Sequence, residues 1–390
     1  TDLPAPLTAT GPRHHVVNLE TTEVVGQLED GTSYTYWTYN NKVPGPFIRV
    51  RVGDTVEVNM ANAESSAMMH NVDFHAVTGP GGGAEATNAM PGEHKSFTFK
   101  AMKPGLYVYH CATPMVAQHI SNGMYGMILV EPEGGLPKVD HEFYVMQGEL
   151  YTEEALGTPG LLTESIDKLL DEQPTYYVMN GAFKALTGER ALQAEVGDTA
   201  RIYFGVGGPN KISSFHVIGE IFDNVYQDAS LVSEPIQDVQ TVMVAPGGAT
   251  VVDLTFEVPG NYVMVDHALS RAERGAAGII TVKGPENRDI FAVAPGTPTI
   301  QPTDGTLLQG TAEANSTVNI DTNGDGTADA TVTADGDGNW TYTPTAPLAD
   351  GTVVEVTATD AAGNASTPAT ATVDALPPGT PTIAPTKSPE

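Results

Sequence analysis

Residues 104–132, PGLYVYHCATPMVAQHISNGMYGMILVEP, contain the only cysteine in a chain of 390 residues. LYVYH alternates apolar and polar positions between a Pro-Gly turn and the thiol, and MYGMILVEP resumes as an apolar run. The segment therefore reads as two strands joined by a loop. The loop is chemically unusual: His110 precedes Cys111, and His119 and Met124 follow it. A lone thiol excludes an internal disulfide and leaves a core residue, a nucleophile or a ligand.

The rest of the chain has the same strand character. Hydrophobic residues make up 40%, and 41 Gly and 29 Pro punctuate short alternating runs, which predicts an all-β protein of two or three domains. With 48 acidic and 18 basic side chains the net charge is -30. That excludes nucleic acid and anionic lipid as natural partners and favours basic proteins, or serves only solubility. No apolar run approaches the ~20 residues of a membrane-spanning helix. The opening TDLPAPLTATGPRHH reads as the start of a processed, exported chain.

Internal repeats set the domain plan. VGDTVEV at 52–58 returns as VGDTARI at 196–202, and KPGLYVYHC at 103–111 returns as VPGNYVMVDH at 258–267. A duplicated β domain follows, with a first copy over 1–150, a linker at 151–173 and a second copy over 174–294. Residues 153–174 are the one plausible helical passage. Beyond Lys283 the chain becomes rich in Thr, Ala, Asp and Gly, and PGTPTI occurs at 295–300 and again at 378–383. That predicts a third domain over 295–377 and, at 378–390, the start of a truncated second repeat.

Two imidazoles, a thiolate and a weak axial thioether are the ligand set of a blue-copper electron-transfer site. Cys111, His119 and Met124 supply three of these from one loop. The fourth comes from AMMHNVDFHAVTG (67–79), which reads as strand and offers His70 and His75. Residues an odd number apart on a strand face opposite ways. His70 is thereby separated from His75, and His110 from Cys111, so two sites stand back to back, joined at the His110–Cys111 peptide. Asp73 shares the face of His75 unless a bulge intervenes. A second site built on His75 and His110 needs a third imidazole. His267, near the duplicated place of His110, is the best candidate, and His216 follows the second VGDT much as His70–His75 follow the first. His14, His15, His94 and His141 fall in no motif and read as structural, as do Met68 and Met69. The plainer alternatives are an inert core thiol, hydrogen-bonded core imidazoles, and an Asp73 that forms a turn or orients a ligand.

MHNVDFHAVTG, YVYHC, HISNGMYGMILVEP, FHVIGEIFDNVY and VDHALSRAERGAAG together resemble the copper-containing nitrite reductases, in the branch with a short Cys-to-His loop. The resemblance spans roughly residues 12–292. It implies two tandem cupredoxin Greek-key β-sandwiches in a homotrimer, with two coppers per subunit. Type 1 copper would be held by His70, Cys111, His119 and Met124. Type 2 copper would be held by His75 and His110 of one subunit and His267 of its neighbour. Asp73 and His216 match the residues that bind and protonate nitrite, and Ile218 matches the apolar residue over the copper. The implied activity is one-electron reduction of nitrite to nitric oxide, fed by a small donor protein (a cytochrome c or cupredoxin), in the periplasm or at the cell surface. Residues 295–377 resemble a bacterial Ig-like β-sandwich. Its loop Asp321 to Asp329 alternates oxygen-bearing side chains suited to weakly held Ca²⁺, although Val332 stands where an EF-hand loop needs Glu, and a solvated turn is the other reading.

Competing functions are weaker on residues. A multicopper oxidase needs about eight His in His-x-His pairs and His on both sides of the Cys; residue 112 is Ala and no His-x-His occurs. A cupredoxin electron carrier with a surface-adhesion module gives no reason for Asp73, His75, His216 and His267.

Overall fold

In the strand Thr55–Asn62, Val56, Val58 and Met60 are buried while the residues between them are partly exposed. This alternation of two recurs through a computed structural model that describes residues 3–8 and 10–376. The segment read as the start of another repeat, 378–390, lies outside the described residues. The chain forms two compact units, one ending at Pro285 and one beginning at Glu286.

The first unit holds two sandwiches. In the first sandwich, one sheet runs in the order Gly160–Leu161, Thr32–Tyr39, His14–Glu29, Thr55–Asn62, His94–Lys100. The facing sheet runs Ile48–Arg51, Tyr125–Glu131, Gly105–His110, Asp73–Phe74. Between them lie Val56, Val58, Tyr109, Ile128 and Val130, with Cys111 and Met124 at one end of the same core. In the second sandwich, Tyr176–Met179, His141–Leu150, Thr199–Val206, Ala249–Thr255, Phe222–Tyr226 and Ile236–Val239 face Leu192–Glu195, Ala277–Lys283, Gly260–Asp266, Ser213–Ile218 and Thr241–Val244. Phe204, Phe215 and Phe222 stack at its centre, with centroids 4.0 and 5.8 Å apart. Val108, Tyr125 and Met127 of the first sandwich pack on Tyr144, Met146, Tyr203 and Val251 of the second. Arg49 spans the same seam, reaching Glu131 at 2.6 Å and Glu142 at 2.7 Å.

Three local features differ from the sequence expectation. The strand His141–Leu150 belongs to the second sandwich, pairing in parallel with Thr199–Val206 and antiparallel with Tyr176–Met179. It is buried over most of its length and needs a partner on each edge. The passage 153–174 is helical only at Ile166–Leu170, and Gly160–Leu161 adds an edge strand to the first sandwich, because Gly157, Pro159 and Gly160 interrupt any longer helix. Short helices occur instead at Val116–Ser121 and Ser270–Glu273. Residues 67–79 form a ladder only at Asp73–Phe74, with a single bridge from His70 to Ala89.

The second unit pairs Leu308–Thr311 with Asn339–Tyr342, opposite a sheet in the order Ala330–Thr333, Thr317–Asp321, Val353–Thr359, Ala369–Thr372. Leu308, Val318, Ile320, Trp340, Val354 and Val356 form its core. In its acidic loop, Asp321 accepts backbone N–H groups from Asn323, Gly324 and Gly326, and Asp329 accepts that of Thr322.

The high acidity carries a stability cost at one place in the first unit. Glu220, in the turn after Ser213–Ile218, is half-buried, and burial together with Asp223 and Glu257 pushes its carboxyl up to about 7. A group whose folded value lies above its ordinary 4.5 favours the fold fully below 4.5 and loses that contribution as pH rises through 7. Glu220→Gln should therefore stabilise the protein by about 1–2 kcal/mol at pH 8, the full shift being discounted for solvent access, and change little near pH 4. Denaturant melts at the two pH values check this, and equal effects at both would contradict it.

Candidate metal centres

The first centre is assembled at the end of the strand Gly105–His110. Cys111 follows it and donates its backbone N–H to the Met124 carbonyl at 3.1 Å, while Met124 donates to the His119 carbonyl at 3.2 Å. His119 lies on the helix Val116–Ser121. The His70 backbone is pinned to Ala89 by two hydrogen bonds. The Cys111 sulfur is 3.3 Å from His119 Nδ1 and 4.0 Å from His70 Nδ1, and the two Nδ1 atoms are 3.2 Å apart. His70, Cys111, His119 and Met124 are each at most 3% exposed. The Trp37 ring lies edge-on to both imidazoles.

Burial holds both imidazoles neutral. It pushes His119 down to about 4, with His70 adding to the effect, and lowers His70 against the opposing pull of Glu23. Burial raises the Cys111 thiol, with Asn71 and Thr113 pulling the other way. Glu23 accepts from His70 Nε2–H at 2.8 Å and is itself held by Ser66 and the Ala67 N–H. The proton of His70 is thereby fixed on its far nitrogen, and the Nδ1 lone pair points at the sulfur and the other imidazole. Two nitrogens and a sulfur converging in a buried, apolar place form a soft donor set that fits copper and not a hard cation.

The second centre lies across the sheet. Asp73 is the register partner of His110, and the His75 N–H bonds the Val108 carbonyl. His75 Nε2 and His110 Nε2 are 3.0 Å apart, with rings nearly perpendicular. His110 donates Nδ1–H to the Cys111 carbonyl at 3.0 Å, which leaves its Nε2 without a proton. The concave surroundings, then His110, hold His75 below the ordinary imidazole range, against Asp73 and a backbone bond to Gly247. Carboxylate and imidazole donors of Asp73, His75 and His110 lie within 4.8 Å of one another. Facing lone pairs at this distance repel unless a cation lies between them, so this set also fits a metal. The His pair lines a cavity of about 370 Å³ with Ile120, Val206, Gly208 and Pro246.

A third cluster belongs to the second sandwich. His216 donates Nδ1–H to the Gln240 carbonyl at 2.6 Å, and His267 donates its backbone N–H to Ser214. Their rings are 5.5 Å apart and line a separate cavity of about 450 Å³ with Gln240 and Thr241. Buried Asp266 steadies this loop by accepting from the N–H groups of Ser214 and Ala268 and from Gln147. Ile218 shares the outward face of His216 and is 46% exposed.

The structure thus brings together His70 with Cys111 and His119, His75 with Asp73 and His110, and His216 with His267. Within one chain, His267 stands apart from the His75–His110 pair. His14, His15 and His141 pair instead with Glu57, Asp54 and Asp198. Sequence reasoning missed Glu23 and Asn71, whose Oδ1 accepts the Ala112 N–H and lies 3.6 Å from the sulfur. On an alternating strand Glu23 reads as a solvated side chain, and only its register with the distant His70 reveals it.

Comparison with known proteins agrees with this geometry. A multicopper oxidase family model matches residues 20–135, and a bacterial Ig domain model matches 294–375. The copper-containing nitrite reductase of Neisseria meningitidis serogroup A is 52% identical over 277 residues, 70% of this chain and 71% of that one. That of Alcaligenes faecalis is 37% identical over 278 residues, covering 67% and 73%. The solved copper nitrite reductase from Nitrosomonas europaea superposes with a TM-score of 0.63 at 33% identity, over 70% of this chain and 95% of that one.

The Glu23–His70 bond has a measurable consequence. Glu23→Ala should weaken metal binding at the Cys111 centre by roughly 10–100-fold, the usual effect of removing a partner that orients a ligand imidazole. Glu23→Gln, which keeps an acceptor, should lose less. Chelator competition on both variants checks this, and unchanged affinity in Glu23→Ala would contradict it.

Proposed function

This chain belongs to the copper-containing nitrite reductases, and from that membership we propose which of its residues perform each part of the reaction. The enzyme is an oxidoreductase that reduces nitrite, and copper is its cofactor. The balanced half-reaction is nitrite plus one electron and two protons giving nitric oxide and water. His70, Cys111, His119 and Met124 hold a type 1 copper. His75 and His110 hold a type 2 copper together with His267 of a second copy of the chain. The single observation that carries this reading is the placement of two separate donor sets on either side of the His110–Cys111 peptide.

Bound copper supplies one-electron transfer at the first centre and Lewis-acid orientation of the anion at the second. The chain's own residues do the rest. Cys111 and His110 give the electron a short covalent path between centres. The buried first centre keeps water from its sulfur, while the cavity beside His75 and His110 admits a small anion. Among the described residues none donates a hydrogen bond to the Asp73 carboxylate, so its oxygens are left to meet nitrite and pass a proton to it. The Gln240 carbonyl fixes the Nδ1 proton of His216 and turns Nε2 toward its cavity, ready to carry the second proton. Ile218, exposed on the same face, supplies an apolar wall that narrows the site.

Because the His75–His110 and His216–His267 clusters line separate cavities of one chain, the third imidazole comes from a second copy, in the homotrimer that the family resemblance implies. A small donor protein, a cytochrome c or cupredoxin, delivers the electron. The net charge of -30 favours a basic one. Among the described residues no helix is long and apolar enough to cross a membrane, and the bacterial Ig domain is in keeping with a periplasmic or surface location. The Asp321–Asp329 loop keeps its two readings, a weak calcium site or a solvated turn in which Asp321 accepts backbone N–H groups of its own loop.

Cys111→Ala should lose the strong visible absorption and donor-driven turnover while retaining about one copper per chain. His267→Ala should stay coloured and lose nitrite reduction. Copper content, absorption and nitrite turnover of both variants check the division, and full activity in His267→Ala would overturn the shared site.

A further inference from the structure

The run GPGGGAEAT (79–87) takes no part in binding metal in the reading above, yet it packs directly on the second centre. Gly82 is buried, with φ +56°, and a Cβ built there would overlap Asp73 Oδ1 and stand 2.9 Å from Asp73 Cγ and 3.0 Å from the Phe74 carbonyl oxygen. The loop cannot retreat. Fully buried Thr87 ties it to the strand carrying Asp73, donating its hydroxyl to the Gly83 carbonyl at 2.9 Å and accepting the Val72 N–H at 3.0 Å. The Asp73 carboxylate, in turn, has no hydrogen-bond donor among the described residues, so contact decides where it points. Gly81 offers an internal comparison. It has a similar φ of +66°, but a Cβ there would meet only Glu85 Cγ at 3.9 Å.

We propose that Gly82 is the positioning residue for Asp73: its bare Cα forms a seat, clamped by Thr87, that aims the unbonded carboxylate at the second centre. The inference rests on the reading of Asp73 as a residue that meets nitrite at the second centre. A carboxylate left without hydrogen bonds keeps its acceptor sites for substrate and water, and a steric seat holds it without using them. Any side chain at Gly82 would rotate the carboxylate away.

The test compares Gly82→Ala, Gly81→Ala, Asp73→Ala and the Asp73→Ala/Gly82→Ala double variant, each with copper content determined. Both glycine variants carry the strain of alanine at positive φ, but only Gly82→Ala meets Asp73. Gly82→Ala should keep both coppers and lose roughly 10–100-fold in turnover, as expected for a misplaced reacting group. Gly81→Ala should stay within about 3-fold of wild type. Gly82→Ala should also change the response of the type 2 paramagnetic resonance signal to added nitrite. In the Asp73→Ala background, the second substitution should cost little further activity and less thermal stability than it costs in wild type. Near-normal turnover in copper-replete Gly82→Ala, or equal losses in both backgrounds, would overturn the inference. Normal turnover in Asp73→Ala would instead remove Asp73 from proton delivery. The stability cycle, and the Asp73 orientation in a crystal structure of Gly82→Ala, would still decide whether Gly82 seats it.

Discussion

Everything in this molecule that concerns chemistry hangs on one peptide bond. His110 ends an inner strand of the first sandwich and Cys111 begins the loop beyond it, so their side chains leave the backbone on opposite sides. One enters the apolar core beside His70 and His119; the other faces a cavity beside His75, with Asp73 within ligand distance of both imidazoles. A single covalent step therefore joins a buried donor set to one that opens on a cavity. The His110 Nδ1–H bond to the Cys111 carbonyl ties the two residues together. Any change in that strand's register would move both centres at once.

The surrounding fold serves this junction by disposing of protons. Each imidazole has two nitrogens, and a metal can use only one that is unprotonated. Glu23 takes the outward proton of His70 and the Cys111 carbonyl that of His110, while the Gln240 carbonyl fixes the Nδ1 proton of His216, the imidazole proposed to hand a proton to nitrite rather than to bind metal. Burial removes the remaining competition by disfavouring the imidazolium forms, most strongly at His119. Two of these acceptors are main-chain carbonyls immediately beyond strand ends. Preorganisation is thus achieved largely by backbone, which explains why short motifs suffice to reproduce it.

Legibility in the sequence followed distance along the chain. Cys111, His119 and Met124 fall within one loop, and the odd spacings of His70 and His75 and of His110 and Cys111 are legible there too, although the strand assumed over 67–79 exists only at Asp73–Phe74. Duplication pointed to His267 because VPGNYVMVDH repeats KPGLYVYHC. What stayed hidden depends on long-range register. Glu23 meets His70 across 47 positions, and nothing local distinguishes it from a solvated strand residue. The strand His141–Leu150 lies next to the first sandwich in sequence but pairs with residues of the second. The helix bearing His119 has six residues, too few for its period to be read. The Gly81–Gly83 run announces tight backbone, but only the fold shows that Asp73 is what it approaches.

The most direct test of the back-to-back arrangement is metal analysis with electron paramagnetic resonance on the copper-loaded protein. Two coppers per chain, divided equally between a narrow-hyperfine signal from the thiolate centre and a wide-hyperfine signal from the imidazole centre, are the predicted result. A single signal accounting for all bound copper would contradict it.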